Sequence, residues 1–111
     1  FLDNLTECKI ADPDFYEMLG YNLSVPVEVC HALLQRSVDN DDVISNLKIP
    51  VLITHGDKDT SVLLSMANHN HSLIPGSQIS VYKETGHAPF YENPEKFNLE
   101  LARFVNNSVG A

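Results

Sequence analysis

Ile49-Pro50-Val51-Leu52-Ile53-Thr54-His55-Gly56-Asp57-Lys58-Asp59 carries the reading of the fold. Residues 51–55 are short, β-branched and apolar on both faces, with Pro50 before them and Gly56 after, so they read as a strand buried in a parallel sheet. Past the polar loop 56–61, Leu63, Leu64, Ala67, His71 and Ile74 trace a helical stripe that Pro75-Gly76 ends. Gln78-Ile79-Ser80-Val81-Tyr82-Lys83 then alternates as a second strand. A strand, a helix and a strand at these lengths give two parallel neighbours.

Downstream, a loop from Glu84 to Glu92 holds Gly86-His87-Ala88-Pro89. Asn93-Pro94 opens a last helix, in which Phe97, Leu101, Phe104 and Val105 fall on one face; a frayed tail is expected after Asn106. Upstream, Ser24 with Pro26 reads as the start of a helix over 25–37, with Val25, Val29, Ala32 and Leu33 as its apolar stripe. Asp39-Asn40-Asp41-Asp42 lacks the glycine and the terminal glutamate of a calcium loop, and reads as a solvated turn capping a short helix near Val43-Ile44. Residues 1–22 show no sustained period and read as short helical turns and loop.

Two parallel strands do not make a sheet. Val51, Leu52 and Ile53 need cover on both faces and a neighbour on the other edge, and no stretch of the chain remains to form one. The chain is therefore expected to be part of a larger fold, in keeping with its opening on Phe1 rather than Met.

Composition narrows the class. With 111 residues, 43% of them hydrophobic, this is at most one ordinary globular domain. No apolar run approaches the length of a membrane helix, so membrane spanning is not expected. A net charge of -8, with no cluster of Lys or Arg, argues against nucleic acid as a partner. Cys8 and Cys30 are too few for a disulfide scaffold and too far apart for a CxxC motif; they fit free thiols in a reducing compartment. No charged-then-apolar leader is visible, and the expected address is the cytoplasm. The sequons at Asn4, Asn22 and Asn106 keep secretion open.

In open parallel sheets the loops leaving the carboxyl ends of the strands line the site. Here those loops carry Asp57 and Asp59 after the first strand and His87 after the second. Neighbouring strands bring such loops side by side, so a carboxylate and an imidazole 28 positions apart can meet. The acid would fix the histidine tautomer through one ring nitrogen and leave the other to take a proton from a nucleophile. Asp59 is preferred as that acid, because it lies further beyond the strand end, whereas Asp57 follows Gly56 and is placed to cap the turn. Ser61 and Ser65 read as ordinary helix-start serines, not nucleophiles. His69 and His71, two apart on a helix, do not face each other as metal ligands would. Tyr82, Phe90 and Tyr91 fit a pocket wall or core packing equally well.

The motif His55-Gly56-Asp57-Lys58-Asp59 behind Ile49-Pro50, followed by Gly86-His87-Ala88-Pro89-Phe90, Glu92, Pro94 and a closing helix with Phe97 and Phe104, resembles the C-terminal part of an α/β-hydrolase fold protein. Within that superfamily it is most similar to the esterase and cofactor-free haloperoxidase-like branch. The resemblance implies an α/β fold class, the C-terminal βαβα portion of that fold with an incomplete parallel sheet. It assigns residues 25–111 to this portion and 1–24 to the end of a cap region. It matches Asp59 to the acid and His87 to the histidine of a catalytic triad, and implies hydrolysis of a small ester-like substrate with no metal or organic cofactor.

One departure qualifies this. Family members place the nucleophile in Gly-x-Ser-x-Gly, and the glycines here, at 20, 56, 76, 86 and 110, include no two four apart. The serine is expected upstream of Phe1, and these 111 residues alone are expected to be inactive. One rival reading is a non-catalytic interaction module that retains the half-fold and pairs through its open sheet edge, with the missing part of the fold or with a second copy. Another is a stand-alone α/β domain in which the Asp and His are coincidental.

Overall fold

The computed structural model describes residues 4–109, and the expectations for Phe1, Leu2, Asp3, Gly110 and Ala111 lie outside the described residues. In chain order the elements are α1 (Asp12–Leu23), α2 (Val27–Leu34), α3 (Asp41–Ser45), β1 (Leu52–Gly56), α4 (Leu64–Leu73), β2 (Gln78–Tyr82), α5 (Pro89–Glu92) and α6 (Pro94–Val109). β1 and β2 pair in parallel, Leu52 opposite Gln78 through Gly56 opposite Tyr82. Val51 extends the ladder by one carbonyl, accepting the Gln78 amide at 2.9 Å. The expected strand–helix–strand unit is therefore present, and α4 packs on both of its strands.

The turn after α4 needs its glycine. Gly76 sits at φ 71°, in the left-handed region that a Cβ disfavours. On β2, Ser80 and Tyr82 are two apart and so share a face, and both donate to Oε2 of Glu100 on α6, at 2.8 and 2.7 Å. Lys96 covers the same tyrosine, its Nζ 3.7 Å from the ring centroid. Tyr82 is the most deeply buried large side chain among the described residues, and α6 is fixed to β2 through its part-buried contact with Glu100.

The N-terminal third differs from expectation. Asp12–Leu23 is a continuous helix, entered by Pro13 in its first turn with Asp12 and Asp14 at the positive end of the helix dipole. Ser24 consequently closes α1 instead of opening α2: its hydroxyl donates to the Gly20 carbonyl at 2.8 Å. Pro26 is the residue at the start of α2, which ends at Leu34 where Gln35 and Arg36 tighten the last turn onto His31 and Leu33. The 84–92 loop contains the one-turn helix α5. The tail does not fray at Asn106, since α6 runs on to Val109 and the Ser108 hydroxyl donates back to the Phe104 carbonyl. α3 lies where the acidic turn implies, and the Asn93 side chain accepts the Lys96 amide at the start of α6.

The core is small. Leu5, Ile10, Ala67, Ile74, Tyr82 and Ala88 are its buried hydrophobic residues, while α1 and α2 bury none. Leu101 and Val105, on the apolar face of α6, remain 43% and 46% exposed, so half of that stripe has no cover among the described residues. No helix among them is long and apolar enough to cross a membrane.

Candidate active site

The two strand-exit loops are bound to each other by backbone. The Asp57 amide donates to the Tyr82 carbonyl and the Lys58 amide to the Thr85 carbonyl, each at 2.9 Å. The approach is closest at Gly56, where a Cβ would run into the carbonyl oxygens of Thr85 and Gly86. Glycine is needed there because a backbone occupies the place of its side chain.

That approach sets the geometry of the pair. His87 Nδ1 lies 2.8 Å from Asp59 Oδ2, with the carboxylate 3% exposed and the imidazole 37% exposed. The other oxygen, Oδ1, accepts the amides of Ser61 and Val62, both at 2.9 Å. An ionised carboxylate only accepts, so Nδ1 of His87 carries the shared hydrogen and Nε2 keeps its lone pair. Burial by itself would raise the Asp59 pKa, but the Val62 amide, the His87 side chain and the Ser61 amide outweigh it and hold the carboxyl below its ordinary 3.8. The pair presents a charged acid behind a partly exposed imidazole, an arrangement able to accept a proton at Nε2 and stabilise the resulting cation. Asp57 is exposed, and its amide, not its carboxylate, ties the loops together.

The histidine loop is held from behind by a residue that sequence reasoning noted only as part of a motif. Glu92 Oε1 accepts the Gly86 amide at 2.8 Å, and its Oε2 accepts the amides of Glu7 and Cys8 at 2.8 and 3.3 Å. His87 itself donates its backbone N–H to the Leu5 carbonyl at 2.7 Å. Residues 5–8 thereby form a strap across the back of the loop. His55, on β1, was likewise given no role: its Nε2 lies 2.8 Å from the Val62 carbonyl and 3.5 Å from Asp59 Oδ2. Only the fold-back of the 59–62 turn reveals that contact, and no local pattern announces it.

The remaining candidates go elsewhere. His69 Nε2 meets both oxygens of Asp41 at 3.1 Å, whereas His71 Nδ1 meets the Ser77 hydroxyl at 2.8 Å, so the two imidazoles have separate partners. Ser61 serves the pair through its backbone amide, and Ser65 is an exposed residue of α4. Tyr82 belongs to the core, and Phe90 is 60% exposed, edge-on to Phe97. The Tyr91 hydroxyl joins the Ala11 amide to the Asp14 carboxylate, at 3.2 and 2.9 Å. Cys8 and Cys30 are both free thiols.

No family model matches the chain. It is 30% identical over 74 residues to a pimeloyl-[acyl-carrier protein] methyl ester esterase of Aliivibrio fischeri, an alignment covering 67% of this chain and 29% of that protein. Its structure superposes on an esterase from Rhodococcus sp. with a TM-score of 0.79 and 38% identity, over 85% of this chain and 34% of the other. An esterase from Exiguobacterium antarcticum gives a TM-score of 0.83 at 25% identity, over 96% and 40% of the two chains. The chain thus spans less than a third of the length of the curated relative and well under half of either solved structure. With its parallel strand–helix–strand unit and the likeness to these esterases, the chain belongs to the α/β-hydrolase fold superfamily.

Proposed function

We propose that this chain supplies the acid and the histidine of a serine esterase triad, Asp59 and His87, to a fold whose nucleophilic serine lies in a segment beyond these 111 residues. The observation that carries the reading is the 2.8 Å contact between Asp59 Oδ2 and His87 Nδ1, which leaves Nε2 available at the carboxyl end of the sheet. The esterases it resembles and their greater length support the reading, as do the two strands left without outer neighbours among the described residues. In this scheme residues 1–24 end a cap region and 25–111 form the C-terminal part of the hydrolase domain. The free thiols fit a cytoplasmic address.

The chemistry follows from the pair. His87 Nε2 takes the proton of the serine hydroxyl as its oxygen adds to the ester carbonyl, then returns it to the departing alcohol. Water attacks the acyl-enzyme by the same route, its proton passing to Nε2 and back to the serine oxygen as the carboxylic acid leaves. Asp59 stays ionised throughout and stabilises the imidazolium. The substrate class is a small carboxylic ester, and no step requires a metal or an organic cofactor. Without the nucleophile and the amides of an oxyanion hole, the 111 residues alone should turn over nothing.

The test is active-site labelling of the complete protein with a fluorophosphonate, which captures a serine only when its base is in place. Labelling at a Gly-x-Ser-x-Gly serine, lost in His87→Ala, is expected. Labelling undiminished in His87→Ala would remove this histidine from the mechanism.

A second reading, an interaction module without catalysis, draws on the unpaired strand edges and on exposed apolar residues such as Leu101 and Val105. It predicts stable self-association of the 111-residue chain in sedimentation experiments and no labelled serine in the full gene product.

A further inference from the structure

His55 sits at the fourth position of β1, opposite Val81, with its side chain only 11% exposed. Its Nε2 is 2.8 Å from the Val62 carbonyl. A carbonyl oxygen can only accept, so Nε2 carries the hydrogen. The same Nε2 is 3.5 Å from Asp59 Oδ2, the oxygen that His87 Nδ1 approaches to 2.8 Å. One carboxylate oxygen is therefore flanked by two imidazoles, one within hydrogen-bond distance and the other leaning on it from the strand side. Oδ1 meanwhile takes the amides of Ser61 and Val62.

Val62 is the hinge of this arrangement. Its N–H fixes one oxygen of Asp59, and its carbonyl is tied back to His55. Residues 59–62 fold over the end of β1, and His55 is the side chain that fastens the far end of that turn to the strand. The N–H lies in the Ser61–Val62 peptide and the carbonyl in the Val62–Leu63 peptide, so without the fastening residue 62 between them is free to shift, which moves the amide that Oδ1 accepts and turns Oδ2 off the line to His87.

Resting on the triad reading above, we propose that His55 is a positioning residue: by anchoring the Asp59–Val62 turn to β1 it holds Asp59 Oδ2 in line with His87 Nδ1. It acts through the acid and does not touch substrate. A residue of this kind affects the chemical step more than substrate binding, because a displaced acid mis-sets the imidazole while the pocket stays intact.

The complete protein tests this with p-nitrophenyl acetate as substrate. His55→Leu is expected to lower kcat by about 10–100-fold, the scale of a misplacement of about 1 Å, with KM nearly unchanged. His55→Gln, whose terminal amide occupies the place of Nε2 and donates to the same carbonyl, is expected to restore most of kcat. A wild-type kcat in His55→Leu, with turnover lost in His87→Ala, would overturn the role of His55 and leave the triad reading in place. Full turnover in His87→Ala would overturn the triad reading itself. Should His55→Leu fail to fold, the pair His55→Gln and His55→Asn decides the matter: Asn is too short to reach Val62, and equal kcat in the two would overturn the proposal.

Discussion

Gly56 and Gly86 face each other where the two strands end, so closely that a Cβ on the first would occupy the carbonyl oxygen of the second. This contact, not a side-chain interaction, sets the separation of the two loops that carry Asp59 and His87. Gly56→Ala should therefore force the loops apart. A cost of about 1–3 kcal/mol, typical of overpacking, is expected as a lower urea midpoint of the complete protein, with esterase turnover falling alongside. An unchanged midpoint would mean that the loops shift freely and that the backbone contact fixes nothing.

The pH dependence of stability follows from the Asp59 carboxyl, whose folded pKa lies below its ordinary 3.8. A group depressed in the folded state contributes stability that is present above the unfolded pKa and is lost as the pH falls through the folded one. Asp59→Asn should then destabilise the protein at pH 7 and narrow its deficit against wild type as the pH drops below 3.8. Urea titrations at a series of acidic pH values measure this, and a deficit that stays constant down the series would contradict the assignment.

Glu92 gathers the amides of Gly86, Glu7 and Cys8 on one carboxylate. Glu92→Ala leaves the buried Gly86 amide without its partner, at a cost of about 1–3 kcal/mol, and hands the exposed Glu7 and Cys8 amides back to water. The strap should loosen, and trypsin should cleave after Lys9 faster than in wild type. Equal cleavage rates would show that the Leu5–His87 backbone bond holds the strap by itself.

The parts legible in the sequence are those whose cause is local. Val51-Leu52-Ile53 between Pro50 and Gly56 can be little other than a strand, and the Gln78–Tyr82 alternation announces its neighbour; the burial expected on both faces is only partial, because β1 has no outer neighbour among the described residues. Strand adjacency then brings Asp59 and His87 together, since both stand at strand exits. α1 was missed although Pro13 and two first-turn acids mark its start, because Phe15, Met18 and Leu19 make only a short apolar stripe that ends at Gly20. The continuation of α6 through Asn106-Asn107-Ser108 runs against propensity, which is why the sequence points to an earlier end. Glu92 was beyond reach for a different reason. Two of its partners lie 84 and 85 positions away, on a strap with no pattern of its own.

The most direct measurement compares Asp59→Asn with Asp57→Asn in the complete protein, as kcat/KM on p-nitrophenyl acetate. Asp59 makes the 2.8 Å contact with His87 and Asp57 does not, so Asp59→Asn should lose about 10⁴-fold by favouring the wrong imidazole tautomer while Asp57→Asn stays near wild type. Near-wild-type activity in Asp59→Asn, or a larger loss in Asp57→Asn, would contradict the account.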